Sequence, residues 1–545
     1  MKKQISILLL CAMLLAGCGQ ETGNVQPENT QNDENTGNTE SVMETEPTIY
    51  DSLVTEDFAG YTFNILNVDS NYAYVFMTTE ELTGETINDT VYNRDITVGD
   101  RLNVNFGERI TTWADIYNEV QALILAGDNA YDIYFAEAWS SLPFMTDGYA
   151  ADLWKTELQL DMPWWDAGAI ETLSIGDHLY RINGDLHLMY SEASWIFYVN
   201  KQMLENYDLE SPYTLVREDK WTLDKAGEMI EAATQDLNGD GKMNTDDQFG
   251  LTTHNNCVCT FVIGGGQSLL TKNADNIPEW TPLSEVIYDI SAKVREVVFD
   301  LNHTYIENVT PTGTRDVGIV GHFMEGGDLF LCEVLGHAKT LRGMDNDFGI
   351  LPIPKYSETV KGYRTYVAGS AQVMMIPTSA DEEALHRTAI VLDNLGAESF
   401  RTLRPAYFDV QLNGKTIRDE ESRDMLDIIF ADRRYEMAYM FGLNDLVSAY
   451  GNAARNGSDL SSAVAKTEGG SASYGAAPAF SSAFPVPSCF FPVTMLYYTY
   501  LPRRWAFFCE IKGSNRYGKT YWHCIPGHPL SHHSQGGRSL RNCHR

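Results

Sequence analysis

Tyr61-Thr-Phe-Asn-Ile-Leu66 is the first apolar, strand-like segment after the N-terminal region of this 545-residue chain. It is followed by a helical pattern over 88–102, the strand-like Asn103-Val-Asn-Phe106, a helical pattern over 113–126, and the strand-like Asp132-Ile-Tyr-Phe-Ala136. Strands that alternate with helices pair in parallel through right-handed crossovers, so this stretch predicts a parallel sheet in an α/β fold.

Length and charge narrow the possible classes of protein. A chain of 545 residues exceeds what one hydrophobic core usually supports, so we expect at least two domains. The formal net charge is −36, with 75 Asp and Glu against 39 Lys and Arg. Such an acidic surface repels nucleic acid, which argues against nucleic-acid binding as the main role.

The N-terminus has the pattern of a lipoprotein signal peptide. Two lysines precede an apolar run over residues 5–15, which predicts a signal peptide over 1–17. Leu15-Ala16-Gly17-Cys18 resembles the bacterial lipobox, in which the cysteine is acylated, so Cys18 is the predicted lipidation site. The alternative is an ordinary secreted protein in which Cys18 is incidental. With the lipid as its only membrane anchor, the protein is expected at the cell membrane, facing outside the cytoplasm.

Residues 18–56 are predicted to form a disordered tether. The segment is rich in Gln, Asn, Thr, Glu and Gly, and it has too few apolar side chains to offset the entropy of an ordered chain. A random coil of this size would hold a folded body on the order of 30 Å from the lipid.

The composition changes after residue 468. Residues 469–545 carry eight Lys or Arg against one acid. The cysteines of this tail are Cys489, Cys509, Cys524 and Cys543. They could form disulfides, or could bind zinc together with His523 and His528, but no C-x₂-C pair occurs. We favour the interpretation that the tail is a reading-frame error or another aberrant extension.

Several short motifs between residues 57 and 468 occur in an order found in one protein family. They are Glu85-Thr-Ile-Asn-Asp-Thr-Val-Tyr-Asn-Arg94, residues 123–135, Phe197-Tyr-Val-Asn-Lys201, Trp221-Thr-Leu-Asp224, Phe323-Met-Glu-Gly-Gly327, residues 347–355 and Met375-Ile-Pro377. In this order they resemble the extracellular solute-binding proteins (family 1, carbohydrate type) of bacterial ABC transporters, in their lipoprotein form.

This resemblance implies a two-lobe, periplasmic-binding-protein-like α/β fold with a ligand cleft between the lobes. Lobe one is expected to comprise 57–190 and 322–376, and lobe two 191–321 and 377–468. The first crossing between lobes is expected near 190–195. Hinge motion would close the lobes on the ligand.

Sugar recognition requires aromatic faces together with carboxylates or amides that bind hydroxyl groups. The layout implied by the resemblance places the following candidates at the cleft: Glu137, Trp139, Tyr190, Glu192, Trp195, Tyr363 and Tyr366. Trp164 and Trp165 could also qualify, whereas Trp221 is expected to be structural. The alternative for each aromatic residue is ordinary core packing.

Residues 236–247 have the spacing of an EF-hand-type calcium loop. Glycine stands at position 6, and the predicted ligands are Asp236, Asn238, Asp240, Lys242 through its backbone carbonyl, Asn244 and Asp247. An aspartate at position 12 is more similar to the loops of dockerins than to those of calcium sensors. The alternative is an acidic turn without metal.

The sequence predicts capture of a solute without catalysis. We expect a monomeric lipoprotein that binds a sugar or oligosaccharide and delivers it to an ABC transporter permease. One alternative is a glycoside hydrolase that uses two of Glu137, Asp185 and Glu192; another is an adhesion lipoprotein. Cys257, Cys259 and Cys332 form neither a C-x₂-C pair nor an assignable set of disulfides.

Overall fold

The computed structural model describes residues 49–70, 74–412, 420–471, 507–514 and 520–526. The predicted signal peptide, the lipidation site Cys18 and most of the predicted tether lie outside these ranges. Within them, no helix combines the length and the apolar character needed to cross a membrane.

The first sheet contains the segments that the sequence pattern predicts. Its opening elements are β1 (Tyr61–Val68), α1 (Thr86–Leu102), β2 (Val104–Thr111), α2 (Ile116–Ala126) and β3 (Ile133–Glu137). Strand β1 pairs in parallel with both β2 and β3. The predicted parallel order of these strands is therefore confirmed, and we call this part of the molecule lobe one.

Local sequence explains where α1 begins and ends. The carboxylate of Glu85 accepts a hydrogen bond of 2.8 Å from the backbone N–H of Asn88 and so caps the first turn. Asn103 adopts a left-handed conformation with φ of 51°, which ends the helix and directs the chain into β2.

The chain then passes through short helices to a second sheet. The helices are α3 (Leu142–Thr146), α4 (Ala167–Leu173) and α5 (Met189–Glu192). The next elements are β4 (Trp195–Asn200), α6 (Lys201–Asn206), α7 (Pro212–Arg217), α8 (Leu223–Ala233), β5 (Phe249–Thr253), α9 (Val258–Gly264), β6 (Leu270–Lys272), β7 (Pro278–Trp280), α10 (Glu285–Val297), β8 (Thr304–Ile306), α11 (Gly318–Met324), β9 (Asp328–Val334), α12 (Ala338–Leu341) and β10 (Phe348–Leu351).

This second sheet has the order β10-β4-β9-β5-β8 and defines lobe two. Strand β5 is parallel to β8 and β9, while β4 is antiparallel to β9 and β10. Two sheets with helices around them confirm the predicted two-lobe α/β architecture. The first crossing, through α5 into β4, falls at the expected place.

The rest of the described chain returns to both lobes. Its elements are β11 (Thr365–Tyr366), β12 (Gln372–Met375), α13 (Glu382–Glu398), α14 (Arg404–Leu412), α15 (Glu420–Ala431), β13 (Arg433–Arg434), α16 (Met437–Met440), α17 (Asn444–Asn456) and α18 (Leu460–Ser471). Strand β12 adds to the edge of the first sheet, antiparallel to β3. Strand β13 pairs in parallel with β11.

Two of the expected lobe boundaries are wrong. The sequence interpretation places all of 322–376 in lobe one, but β9 and β10 pair in the second sheet. It places all of 377–468 in lobe two, but α13 packs against α1 and contributes Ile390 and Leu395 to the core of lobe one. Lobe membership depends on pairing between distant segments, which a local sequence pattern does not specify.

The predicted end of the tether at residue 56 is also wrong. Residues 49–52 form a 3₁₀ turn, and Tyr50 and Leu53 pack against the core of lobe one. The amide of Asn394 in α13 donates to the backbone carbonyl of Val54 over 2.9 Å. The described chain is thus attached to lobe one from residue 49 onward.

Trp164 and Trp165, which the sequence leaves between packing and function, lie in the interior, as does Trp221, which is expected to be structural. Trp164 and Trp165 both donate their indole N–H to one carboxylate oxygen of Asp393, over 3.0 and 2.9 Å. Trp221 is fully buried and donates to the carbonyl of Pro352 over 2.9 Å. Its structural role is as expected.

The C-terminal residues 484–545 form a unit of their own. Its described part is a pair of antiparallel strands, β14 (Phe507–Ser514) and β15 (Thr520–Pro526). The other residues of the predicted aberrant tail beyond 471, including Cys489 and Cys543, lie outside the described ranges. Whether the tail is aberrant stays a prediction.

Candidate functional site

The carboxyl ends of the lobe-one strands bring chemically distinctive residues to one edge of the sheet. Asp69 follows β1, Trp113 lies just after β2, Glu137 ends β3, and Trp139 follows it. In open α/β sheets, ligands bind outside the carboxyl ends of the strands. We call these four residues the lobe-one edge.

Trp113 and Trp139 are unusually exposed for tryptophan. Trp113 is 55% exposed and Trp139 is 38% exposed, and their ring centroids lie 6.3 Å apart. The backbone N–H of Trp113 donates to the carboxylate of Asp69 over 3.1 Å, which ties the loops after β1 and β2 together. The lobe-one edge therefore presents two neighbouring aromatic surfaces to solvent.

Glu137 is a mostly buried carboxylate at this edge. Its side chain accepts a hydrogen bond of 2.7 Å from the indole N–H of Trp139. Burial raises the pKa of Glu137, and the negative charge of Asp69 raises it further, although the hydrogen bond from Trp139 acts in the opposite direction. The two carboxylates are thus close enough to repel each other.

A matching edge exists in lobe two. The register places Trp195 of β4 opposite Val334 of β9, and Thr253 of β5 opposite both Cys332 of β9 and Ile306 of β8. This register brings the first residue of β4 and the residues at the carboxyl ends of β5, β8 and β9 to the same end of the sheet. They are Trp195, His254, Glu307 and Glu333, which we call the lobe-two edge.

His254 is held between two carboxylates at the lobe-two edge. Its Nδ1 lies 2.8 Å from Glu307, and its Nε2 lies 2.6 Å from Glu333. Burial alone lowers the pKa of an imidazole, but the two carboxylates outweigh it and the pKa of His254 is raised. The imidazole is therefore poised to carry a positive charge that its neighbours neutralise.

Trp195 lies beside this ion-pair cluster. The residue is only 6% exposed, and its ring centroid lies 6.3 Å from that of His254 and 6.5 Å from that of Tyr366. Its indole nitrogen is buried and has no hydrogen-bond partner among the described residues. A buried polar group without a partner is uncommon.

The segment 366–369 connects the two edges. Ala368 donates its backbone N–H to Ala193 over 2.9 Å, and Trp139 donates its backbone N–H to Gly369 over 3.0 Å. A Cβ atom at Gly369 would lie 2.5 Å from the ring of Tyr439 and 2.9 Å from the Cβ of Trp139. Only glycine allows this approach, and Tyr439 of α16 thereby joins the site.

The structure divides the sequence-predicted ligand residues into two groups. Glu137 and Trp139 belong to the lobe-one edge, while Trp195 and Tyr366 lie together at the lobe-two edge. The other three, Tyr190, Glu192 and Tyr363, are buried in packing contacts.

These three side chains already have partners inside the protein. The guanidinium of Arg433 stacks 4.1 Å above the ring of Tyr190. Glu192 is fully buried, and one of its oxygens accepts the backbone N–H of Tyr74 over 3.4 Å. The hydroxyl of Tyr363 accepts the backbone N–H of Trp221 over 3.1 Å. Their contacts are therefore internal to the protein in this structure.

Sequence reasoning missed more than half of the site. The residues it did not single out for ligand binding are Asp69, Trp113, His254, Glu307, Glu333 and Tyr439. For Asp69, Trp113, His254 and Glu307 a signal existed, because each lies within two residues of the carboxyl end of a strand. Glu333 also lies near the carboxyl end of its strand, β9, whereas Tyr439 depends on helix packing that the sequence pattern does not show.

A sizeable cavity lies elsewhere in the described residues. It has a volume of about 510 Å³ and is lined by Trp165, Asp166, Asp185, Arg404 and Arg433, among others. Arg433 pairs with Asp166 over 2.7 Å, and Arg404 pairs with Asp185 over 3.4 Å. Because its charges are already paired and its tryptophans are buried, this cavity offers a sugar no exposed aromatic face like those of Trp113 and Trp139 at the lobe-one edge.

The loop 236–247 has part of the geometry of a calcium loop. One oxygen of Asp236 accepts the backbone N–H of Gly241 over 2.7 Å, and the buried Asp247 accepts that of Asn244 over 3.0 Å. Gly239 and Gly241 both have positive φ, as tight loops require. In the described ranges, however, no group of three His, Cys, Asp or Glu side chains is arranged to hold a metal ion.

Cys257, Cys259 and Cys332 are buried free thiols. Burial raises the pKa of each thiol, so the reactive thiolate form is disfavoured. These cysteines pack beside the lobe-two edge and offer no nucleophile to it.

A scan against protein-family models and a search of curated proteins found no match. Among solved structures, the chain is similar to apo RafE from Streptococcus pneumoniae, with a TM-score of 0.48 and 15% identity over 75% of this chain and 97% of that chain. It is also similar to the ABC substrate-binding protein Lmo0181 from Listeria monocytogenes in complex with cycloalternan, with a TM-score of 0.47 and 14% identity over 76% of this chain and 97% of that chain. A third is the Thermus thermophilus maltotriose binding protein bound with maltotriose, with a TM-score of 0.45 and 12% identity over 74% of this chain and 97% of that chain.

Proposed function

We propose that this chain is a solute-binding protein that captures a sugar or oligosaccharide between its two lobes and delivers it to the permease of an ABC importer. The observation that carries the proposal is the pair of exposed tryptophans, Trp113 and Trp139, beside carboxylates at the carboxyl edge of the first sheet. Aromatic faces stack on the C–H surface of a sugar ring, and carboxylates accept its hydroxyl hydrogens. The order of sequence motifs supports the same family.

The arrangement of the two lobes supports a mechanism in which they close on a bound ligand. The chain crosses from the first sheet to the second between α5 and β4, and it returns to the first between β10 and β12. Lobes joined by a few crossing segments can close by hinge motion. A ligand favours the closed form only to the extent that it binds that form more tightly.

The geometry disfavours a glycoside hydrolase. Such an enzyme needs two carboxylates on either side of the scissile bond. Of the three carboxylates that the sequence offers for catalysis, Glu192 is fully buried and Asp185 is paired with Arg404. Asp69 does lie near Glu137, but both belong to the same edge of lobe one and accept hydrogen bonds from Trp113 and Trp139, so they do not face each other across a bond held between the lobes. Binding without catalysis therefore fits the described residues better.

The proposal includes export and anchoring. Acylation of Cys18 would place the protein on the outer side of the cytoplasmic membrane, where a binding protein meets its permease. The first described residue, Ile49, is about thirty residues beyond this cysteine. We expect the protein to act as a monomer, with one bound sugar for each permease encounter.

The proposal also retains a structural Ca²⁺ ion in the loop 236–247. Oxygen-bearing side chains at the expected spacing and two positive-φ glycines support it. The test is a thermal melt with calcium and with a chelator, using Asp236→Asn as the loop variant and Asp128→Asn as an exposed control. A calcium-dependent rise that Asp236→Asn abolishes supports the ion; equal melting temperatures in calcium and chelator contradict it.

A thermal-melt screen against mono- and oligosaccharides tests the main function. Because a ligand that binds only the folded state stabilises it according to its excess over Kd, a true ligand raises Tm progressively with concentration. The sugar should be recovered unchanged after incubation. Release of shorter sugars would instead support the hydrolase.

A further inference from the structure

The lobe-one edge carries negative charge that the protein itself does not neutralise. Among the described residues, no Lys, Arg or His forms a hydrogen bond or ion pair with Asp69 or Glu137. Their contacts in the structure are with the backbone N–H of Trp113 and the indole N–H of Trp139. Two nearby carboxylates without a cation are unfavourable in the empty protein.

The lobe-two edge does not supply the missing cation. His254 is engaged on both ring nitrogens by Glu307 and Glu333, and burial lowers the pKa of the neighbouring His337. The guanidinium of Arg455 donates to the backbone carbonyl of Asn255 over 2.8 Å. Among the described residues, none of these basic groups pairs with Asp69 or Glu137.

The aromatic residues beside the acid pair suit the same kind of ligand. Trp113 and Trp139 are exposed and neighbouring, and their backbone or indole N–H groups bind the carboxylates themselves. Tryptophan is the side chain whose face attracts cations most strongly, and an adjacent carboxylate adds a charge-assisted hydrogen bond. A cationic group of a ligand bound here could therefore contact a tryptophan face and a carboxylate at the same time.

We propose that the lobe-one edge binds a cationic amino group of the ligand, so that the solute is an amino sugar or an oligosaccharide with a free amine rather than a neutral or acidic sugar. This inference rests on the proposed function and narrows its substrate class. An anionic sugar would be repelled by Asp69 and Glu137, whereas a neutral sugar could donate its hydroxyl hydrogens to these carboxylates but would not neutralise their charge.

Matched sugars test the inference by titration calorimetry on the purified protein. The probes are β-1,4 glucosamine oligomers with free amines, the same oligomers fully N-acetylated, and glucose oligomers of equal length. We expect the free-amine oligomer to bind about tenfold or more tightly than either neutral probe, because a charge-assisted hydrogen bond is stronger than a neutral one. Added salt should reduce this preference.

Two isosteric variants test whether Glu137 and Asp69 cause the preference for the free-amine oligomer. Glu137→Gln and Asp69→Asn each keep an oxygen that can accept the Trp139 or Trp113 hydrogen bond, so the local fold is retained. Each should reduce the ratio of free-amine to neutral affinity to about threefold or less, by loss of one charge-assisted bond, because affinity for the free-amine oligomer falls more than affinity for the neutral ones. Glu382→Gln, on an exposed helix end, is the control and should keep the wild-type preference.

The outcomes separate this inference from the proposed function. Neutral oligomers that bind as tightly as the free amine would overturn the amino-group inference and leave the sugar-binding function standing. A free-amine preference that both edge variants retain would overturn the assignment to Asp69 and Glu137. If no oligosaccharide of any class binds, the proposed function itself fails.

Discussion

The indole rings of Trp113 and Trp139 lie with their centroids 6.3 Å apart and their planes inclined by 48°. They reach this position from loops at the carboxyl ends of two different strands, β2 and β3. The two strands flank β1, whose following residue Asp69 accepts the backbone N–H of Trp113. The parallel sheet thus assembles an aromatic and acidic surface from three separate loops.

Replacing either exposed tryptophan should weaken sugar binding. Trp139→Ala and Trp113→Ala are each expected to raise Kd about tenfold or more, since truncation of a central aromatic residue costs roughly 2 kcal/mol or more. Titration calorimetry measures the effect. Trp154→Ala is the matched control, because Trp154 is 48% exposed but lies away from the strand ends. Unchanged affinity in both edge variants would contradict the site.

Asp393 should be important for the stability of lobe one. Its carboxylate accepts both buried indole N–H groups, from Trp164 and Trp165, and the backbone N–H of Gln159. Asp393→Ala leaves these three donors without an acceptor and should lower the free energy of unfolding by roughly 3–5 kcal/mol. Urea denaturation measures the change.

An exposed aspartate gives the control for that substitution. Asp128→Ala removes a side chain without a described hydrogen bond and should change the free energy of unfolding by about 0.5 kcal/mol or less. Equal stability of the Asp393 and Asp128 variants would show that the shared carboxylate does not hold the two tryptophans in place.

His254 should make the folded state less stable as the pH rises above the usual imidazole range. Its pKa is raised in the folded protein because Glu333 and Glu307 outweigh the effect of burial. The folded state therefore binds this proton more tightly than the unfolded state. The contribution of this proton to the stability of the folded state is therefore fully present below about pH 6.5, and it is lost as the pH rises through the raised pKa of His254.

Melting curves between pH 5.5 and 8.5, on the order of half a unit apart, measure this effect. His254→Gln should show a smaller fall in Tm over that range than the wild type, since it lacks the titrating group. His303→Gln is the control, because the imidazole of His303 lies 3.2 Å from the backbone carbonyl of Glu296 and has no carboxylate partner among the described residues. Parallel curves for wild type and His254→Gln would contradict the prediction.

Glu436 should make the stability of the folded state depend on pH in a second range, which lies below that of His254. Burial raises its pKa to about 7, although it accepts hydrogen bonds from the backbone of Leu269 and Ala438 and from the hydroxyl of Ser268. The proton is bound more tightly in the folded state, so its contribution is present below the ordinary glutamate pKa of about 4.3 and is lost as the pH rises toward 7. Glu436→Gln should therefore flatten the curve of Tm between these limits.

The His254 variant is the control for this second window. His254→Gln should leave the slope between about pH 4.5 and 6 nearly unchanged, while Glu436→Gln reduces it. An unchanged slope in Glu436→Gln would mean that the carboxylate is ionised in the folded state throughout.

The strands of lobe one could be predicted because their local pattern is strong. Tyr61-Thr-Phe-Asn-Ile-Leu66 and Asp132-Ile-Tyr-Phe-Ala136 are short apolar runs bounded by polar residues, and each lies within or overlaps a strand. The boundaries of the lobes could not be predicted in the same way. Strand β9 belongs to lobe two because it pairs with β4 and β5, and those partners lie far away in sequence.

The sequence predicts edge residues mainly where they lie at the end of a strand or at the first crossing. Glu137 and Trp139, at the end of β3, and Trp195, at the start of β4, are such residues. Trp113 was interpreted as the start of a helix, whereas the structure places it in the loop before α2. Glu192 looked suitable at a crossing segment, but packing from α14, through Tyr407, buries it. Burial of this kind depends on a helix more than two hundred residues away along the chain.

Isothermal titration of the purified protein with the oligosaccharide that gives the largest thermal shift is the decisive test of sugar capture. We expect saturable binding of one sugar per chain, full recovery of the intact sugar afterwards, and a marked loss of affinity in Trp139→Ala but not in Trp154→Ala. Absence of binding for every sugar, or recovery of cleaved sugar, would contradict it.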